Sequence, residues 1–147
     1  MQVMNDASPD ARNALISGGT SGIGKETALE LARAGAHVTI TARDAVKGAA
    51  VVAEIAKERV DFKLLDLADL ASVNKFAKEF TKPVDVLILN AGVMATPFSL
   101  TKDGFELQMG TNHLGHFALA GLLREKVTQR VVAVSSQMHR AARISGI

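Results

Sequence analysis

Residues 18–27 read GGTSGIGKET, and two phosphate-binding chemistries compete for them. From Gly19 the spacing GxxxxGK matches a nucleoside-triphosphate loop, where the residue after the lysine must be Ser or Thr because its hydroxyl ligates the Mg²⁺ that bridges the phosphates. Here that residue is Glu26, and Thr27 comes one position late, about 100° away around a helix. The acidic partner expected of such a site is also weak. Val60 to Asp66 contains Lys63, and the better apolar run, Val84 to Leu89, ends in Asn90. From Gly18 the glycines fall as GxxxGxG at Gly18, Gly22 and Gly24. That spacing suits a dinucleotide, since glycines let the backbone approach a pyrophosphate and the following helix turns free N–H groups toward its charge. The pattern departs from GxGxxG, because Thr27 stands three after Gly24, and three glycines also suit a plain turn.

Such a turn needs a strand before it and a helix after it, and the apolar pattern supplies both. Ala14-Leu15-Ile16 reads as a strand and residues 23–34 as a helix with Ile23, Thr27 and Leu31 on one stripe, stopped at Gly35. Strands are expected at His37–Thr41, Val60–Leu65, Val84–Leu89 and Val131–Val134, and a helix at 45–57. Asp69 reads as the N-cap of a helix to Phe80, closed by Pro83. Residues 105–127 read as one long helix despite Gly110 and Gly115. The alternation of strand and helix predicts an α/β domain, a Rossmann-type doubly wound parallel sheet that stops after about the fifth strand.

Composition fits one soluble domain of 147 residues. The 17 basic and 15 acidic side chains nearly cancel and are scattered, so no nucleic acid or anionic membrane partner is implied. Without cysteine, disulfides and thiolate chemistry are excluded. Residues 1–11 read as a flexible leader rather than a signal or membrane anchor, and the chain as cytoplasmic.

Five motifs then stand in register: Ser17-Gly18-Gly19-Thr20-Ser21-Gly22-Ile23-Gly24, Asp66-Leu67, Asn90-Ala91-Gly92, Asn112-His113-Leu114-Gly115-His116-Phe117 and Val134-Ser135-Ser136. Their order and spacing resemble the short-chain dehydrogenase/reductase family over residues 12–143, and NHLGHF with DLADLASV is similar to its retinol-dehydrogenase-like branch. Ser17 stands where that family usually has Thr. The resemblance implies that Gly18, Gly22 and Gly24 cradle the pyrophosphate, lined by Ser21 and Ile23, while Asp66 and Leu67 hold the adenine. It places Asn90, Ala91 and Gly92 under the cofactor. The bare alternative for Asp66 is a turn-capping acid.

Cofactor choice follows from charge. An NAD-selective fold places an acid roughly 20 residues after the glycines, on the ribose 2′-hydroxyl. Here the second strand ends Thr41-Ala42-Arg43, and a guanidinium pairs with a 2′-phosphate, so NADP(H) is favoured over NAD. The alternative is a surface arginine neutralised by Asp44.

The resemblance assigns catalytic roles to Ser136, toward the substrate oxygen, and to Asn112, holding a water in a proton relay. A buried helical Asn would otherwise be costly. The family's YxxxK is missing, and the chain holds no tyrosine at all. Neither Lys126, at the end of the long helix, nor His139 replaces it. His113 and His116 share a helix face, but without a third ligand they read as packing, with no metal expected. The expectation is a cofactor-binding half, residues 12–147, of an oxidoreductase acting on a small alcohol, aldehyde or ketone. It would be inactive alone, associate through an exposed fifth strand, and form a homo-oligomer in its full-length form. A non-catalytic NADP(H)-binding or interaction module is the alternative.

Overall fold

A computed structural model of the chain describes residues 12–55 and 59–137. The expected leader and His139 lie outside the described residues. Five strands form one parallel sheet in the order β3-β2-β1-β4-β5: β1 (Asn13–Ile16), β2 (His37–Ala42), β3 (Val60–Leu64), β4 (Val84–Leu89) and β5 (Val127–Ala133). Helices α1 (Gly22–Arg33), α2 (Ala45–Ile55) and α3 (Leu70–Glu79) alternate with the first four strands. The doubly wound parallel sheet expected from the sequence is the fold observed.

Both sheet faces are covered, so the central strands are apolar on each side. Side chains alternate along β1. Leu15 joins Val73, Phe76, Leu87, Leu119 and Leu123 in one cluster. Ala14 and Ile16 point the other way, against Ala28 and Ala32 of α1 and Val51 of α2. Each fully buried Leu or Ile contributes about 1.5–3 kcal/mol by leaving water. Local signals set the ends of the helices. Gly35, at φ +95°, closes α1 with two bonds, Gly35 N–H to Ala32 C=O and Ala36 N–H to Leu31 C=O, the pairing of a left-handed C-terminal cap. Asp69 caps α3 by accepting from the N–H groups of Ala71 and Ser72.

The long helix expected over 105–127 is not continuous. Glu106 caps a three-residue piece, α4 (Leu107–Met109), and residues Gly110–Gly115 widen into a π-turn. Helix α5 (His116–Leu123) follows, then one 3₁₀ turn, and β5 begins at Val127, four residues before the expected strand. Close packing explains the irregularity. A Cβ on Gly110 would lie 2.4 Å from Thr101 Cγ2, and one on Gly115 2.3 Å from the Leu67 carbonyl. The glycines mark where the helix presses onto neighbouring chain, and a π-turn takes up the extra residue. Lys126 thus sits just before β5 and donates to the carbonyls of Ala77 and Phe80 at the end of α3.

Candidate functional site

In this strand order β1 lies between β2 and β4, so connections leave toward opposite sides and part at the carboxyl ends of β1 and β4. A cavity of about 330 Å³ opens there. Its walls are the turn after β1 (Gly18, Thr20, Ser21, Ile23), the end of β2 (Thr41, Ala42, Arg43), Leu65 and Leu67 beyond β3, residues 90–93 beyond β4, and Thr111. Among the described residues Arg43 is the single charged side chain on these walls. The cavity therefore favours an anion.

The turn is held by its neighbours. The Gly18 N–H donates to Thr41 Oγ1 at 3.2 Å and the Gly19 N–H to the Thr41 carbonyl at 3.3 Å. Gly18 has φ +71°, and a Cβ there would stand 2.7 Å from Ala91 Cα. At Gly24 it would meet the Gly18 carbonyl at 2.3 Å and Asn90 Nδ2 at 2.4 Å. Two backbones approach here as only glycine permits. Gly22, at φ +55°, has open space where a Cβ would project. Ser21 is the N-cap of α1 in extended conformation with no capping bond from its hydroxyl, so the first N–H groups of the helix and that hydroxyl are left for a ligand. Ile23 is 69% exposed beside them and offers an apolar contact.

Of the residues singled out from sequence, Gly18, Ser21, Ile23, Arg43, Leu67, Asn90, Ala91 and Gly92 line the cavity. Gly22, Gly24 and Asp66 do not. Gly24 shapes the turn from behind, and Asp66 accepts from the Ala68 N–H at 2.9 Å as a turn acid. The Asn90 amide donates to the carbonyls of Ser17 and Gly18 at 3.1 and 3.0 Å, tying β4 to the turn. Asp44 caps α2, accepting from the N–H groups of Val46 and Lys47 at 2.7 and 3.1 Å. Lys25 pairs with Glu54 at 2.6 Å, away from the cavity, so the triphosphate reading loses its lysine as well as its hydroxyl.

Two expectations are corrected. Asn112 is exposed rather than buried, and its side chain clamps Val93, accepting from its N–H and donating to its carbonyl, both at 2.8 Å. His113 and His116 do not share a face, because the π-turn parts them. His113 is exposed against the Phe117 ring, whereas His116 is 7% exposed and reaches Ser17 Oγ at 2.7 Å. Burial pushes the His116 imidazole below its ordinary value of 6.5, and the bond to the Asn112 carbonyl opposes this more weakly. Ser136, just past β5, is exposed and lies off the cavity wall.

Sequence reasoning missed Thr20, Thr41, Leu65, Val93 and Thr111. Thr41 and Leu65 end strands at the carboxyl edge, a signal that was available. Thr111 belongs to the π-turn, and Val93 is held by Asn112 of the same turn, an arrangement a helical period does not announce. The Thr111 hydroxyl is buried with no hydrogen-bond partner among the described residues. These walls fit a dinucleotide: glycine backbone for a pyrophosphate, a helix start facing it, apolar Leu65 and Leu67, and a cation at the rim.

Residues 12–146 match the family model described as short chain dehydrogenase. Human retinol dehydrogenase 11 is 48% identical over 141 residues, covering 88% of this chain and 44% of that protein. The chain spans about half the length of the curated relatives it matches. A crystal structure from Mycobacterium paratuberculosis superposes with a TM-score of 0.85 at 52% identity, covering 90% of this chain and 48% of that one. A blue fluorescent protein from a metagenomic library, solved in complex with NADPH, superposes at 0.76 with 28% identity, over 93% and 61% of the two chains. Among the described residues no helix is long and apolar enough to cross a membrane. With cavity, motifs and relatives in agreement, the chain belongs to the short-chain dehydrogenase family of oxidoreductases.

Proposed function

We propose that residues 12–147 bind NADP(H) and form the cofactor half of an oxidoreductase acting on a small alcohol, aldehyde or ketone. The observation that carries this reading is the cavity at the β1/β4 divide, walled by glycine backbone, with Arg43 as its one charge and no acid among the described residues. Arg43 follows Ala42, a side chain too small to obstruct a 2′-phosphate, and Asp44 is occupied in capping α2. A planar guanidinium at that rim favours the phosphate-bearing dinucleotide. The bound nicotinamide supplies the hydride.

Gly18, Ser21 and Ile23 face the pyrophosphate, Leu67 the adenine, and Asn90, Ala91 and Gly92 the underside. Asp66 holds the adenine-side turn through Ala68. Ser136 and Asn112 serve the substrate side, Asn112 by fixing Val93. With no tyrosine in its sequence, the chain alone does not turn over substrate. A cysteine-free chain suits a cytoplasmic setting, and a longer form assembles as a homo-oligomer.

Titration of NADPH fluorescence against NADH tests the assignment. Wild type should prefer NADPH, and Arg43→Glu should weaken NADPH about 10- to 100-fold, the worth of a charge-assisted bond, while sparing NADH. Equal losses for both cofactors would remove the role given to Arg43.

A further inference from the structure

We propose that His116 is a positioning residue for the cavity floor: a neutral ring protonated on Nδ1, it accepts a hydrogen bond from the Ser17 hydroxyl at Nε2 and closes a circuit of hydrogen bonds around residues 90–93. The proposal rests on the cofactor reading for its functional consequence, though the circuit itself is independent of it.

Counting donors fixes the protons. A hydroxyl has one hydrogen to give and two lone pairs to offer. Ser17 is fully buried, and its Oγ accepts from the Asn90 N–H at 2.9 Å and the Ala91 N–H at 3.1 Å, which fills both pairs. Its hydrogen must go to the remaining neighbour, His116 Nε2, 2.7 Å away. Nε2 is then an acceptor, so the neutral ring carries its proton on Nδ1 and donates it to the Asn112 carbonyl at 2.9 Å. An imidazolium would aim a second N–H at an oxygen already saturated.

The circuit then closes on itself. Asn112 grips both backbone groups of Val93. Chain runs back from Val93 to Ala91 and Asn90, whose N–H groups end on Ser17. Residues 90–93 line the cavity, whereas Ser17 and His116 do not. His116 therefore acts through other residues, by fixing where the single Ser17 hydrogen points. It joins the end of β1 to the start of α5, 99 residues apart in sequence.

Long-range proton–nitrogen correlation NMR of the imidazole reads the tautomer directly in the 147-residue chain, and NADPH titrations read the floor. Wild type and Ser17→Thr should show unprotonated Nε2 with protonated Nδ1 and bind NADPH within about twofold of each other. Ser17→Ala should lose the single tautomer and bind about tenfold more weakly, the scale of one hydrogen bond. A proton on Nε2 in wild type overturns the proposal, as does a Ser17→Ala chain with tautomer and affinity unchanged. If Ser17→Ala does not fold, the wild-type and Ser17→Thr tautomers still decide. A wild-type chain that ignores NADPH sinks the cofactor reading instead, and the ring nitrogens still report on the circuit.

Discussion

His116 couples the cavity to pH with a definite sign. Its folded value lies below the ordinary 6.5 because burial disfavours the charged ring. The unfolded chain therefore binds the proton more readily, and stability rises with pH wherever the two states differ in protons bound. The contribution of His116 is complete above about 6.5 and is lost as pH falls through that value toward the lower folded one. Urea midpoints measured between pH 7.5 and 5.5 should drop on acidification, and His116→Gln should flatten that slope. An unchanged slope in the variant would assign the pH dependence elsewhere. At this scale the glycine spacing was readable as a tight turn, whereas the bridge from Asn90 to Gly18 and the close approach at Gly24 depend on β4 lying beside the turn and came only with the fold. His116 was not. Two histidines three residues apart look like neighbours on an ordinary helix, and only the π-turn between Gly110 and Gly115 sends one inward and the other out.

Among the elements, Asp85 looks out of place as a carboxylate within an apolar strand. It accepts from the Asn13 N–H at 2.8 Å and from Thr128 Oγ1 at 2.7 Å, so β4 holds the starts of β1 and β5 on either side. The Thr128 bond, then the Asn13 bond, keeps its carboxyl below the usual carboxylate value. Asp85→Val leaves a part-buried N–H without its acceptor and should cost about 1–3 kcal/mol in chemical denaturation. Asp85→Asn, which keeps an acceptor oxygen, should cost less; equal losses would make the site one of packing. The strand, and helices α1 and α3 with their Gly35 and Asp69 ends, were legible because period and cap agree locally. The break in the 105–127 segment was not, since the atoms that force it belong to Thr101 and Leu67, and a helical period carries no record of what a helix presses against.

The molecule as a whole leaves its two sheet edges unequally protected. β3, at one end, carries Asp61, paired with Lys82 at 2.7 Å, and the exposed Lys63, charges that discourage another strand from pairing. β5, at the other, carries Thr128, Gln129 and Arg130 after Val127 but continues into Val131 and Val132, 50% and 40% exposed, with Val134 beyond at 45%. Among the described residues β5 pairs with β4 alone, so its outer backbone groups form an edge, and Val131 and Val132 flank that edge on opposite faces of the sheet. An edge of that kind recruits a second strand. Sedimentation velocity over a concentration series should show the 147-residue chain self-associating. Val132→Lys places a charge in the middle of the apolar stretch without touching the cavity walls, so it should shift the population toward monomer while NADPH affinity stays within about twofold. Monomer throughout the series in the wild type would mean that this edge is guarded in solution, and association unaltered by Val132→Lys would move the contact to another face.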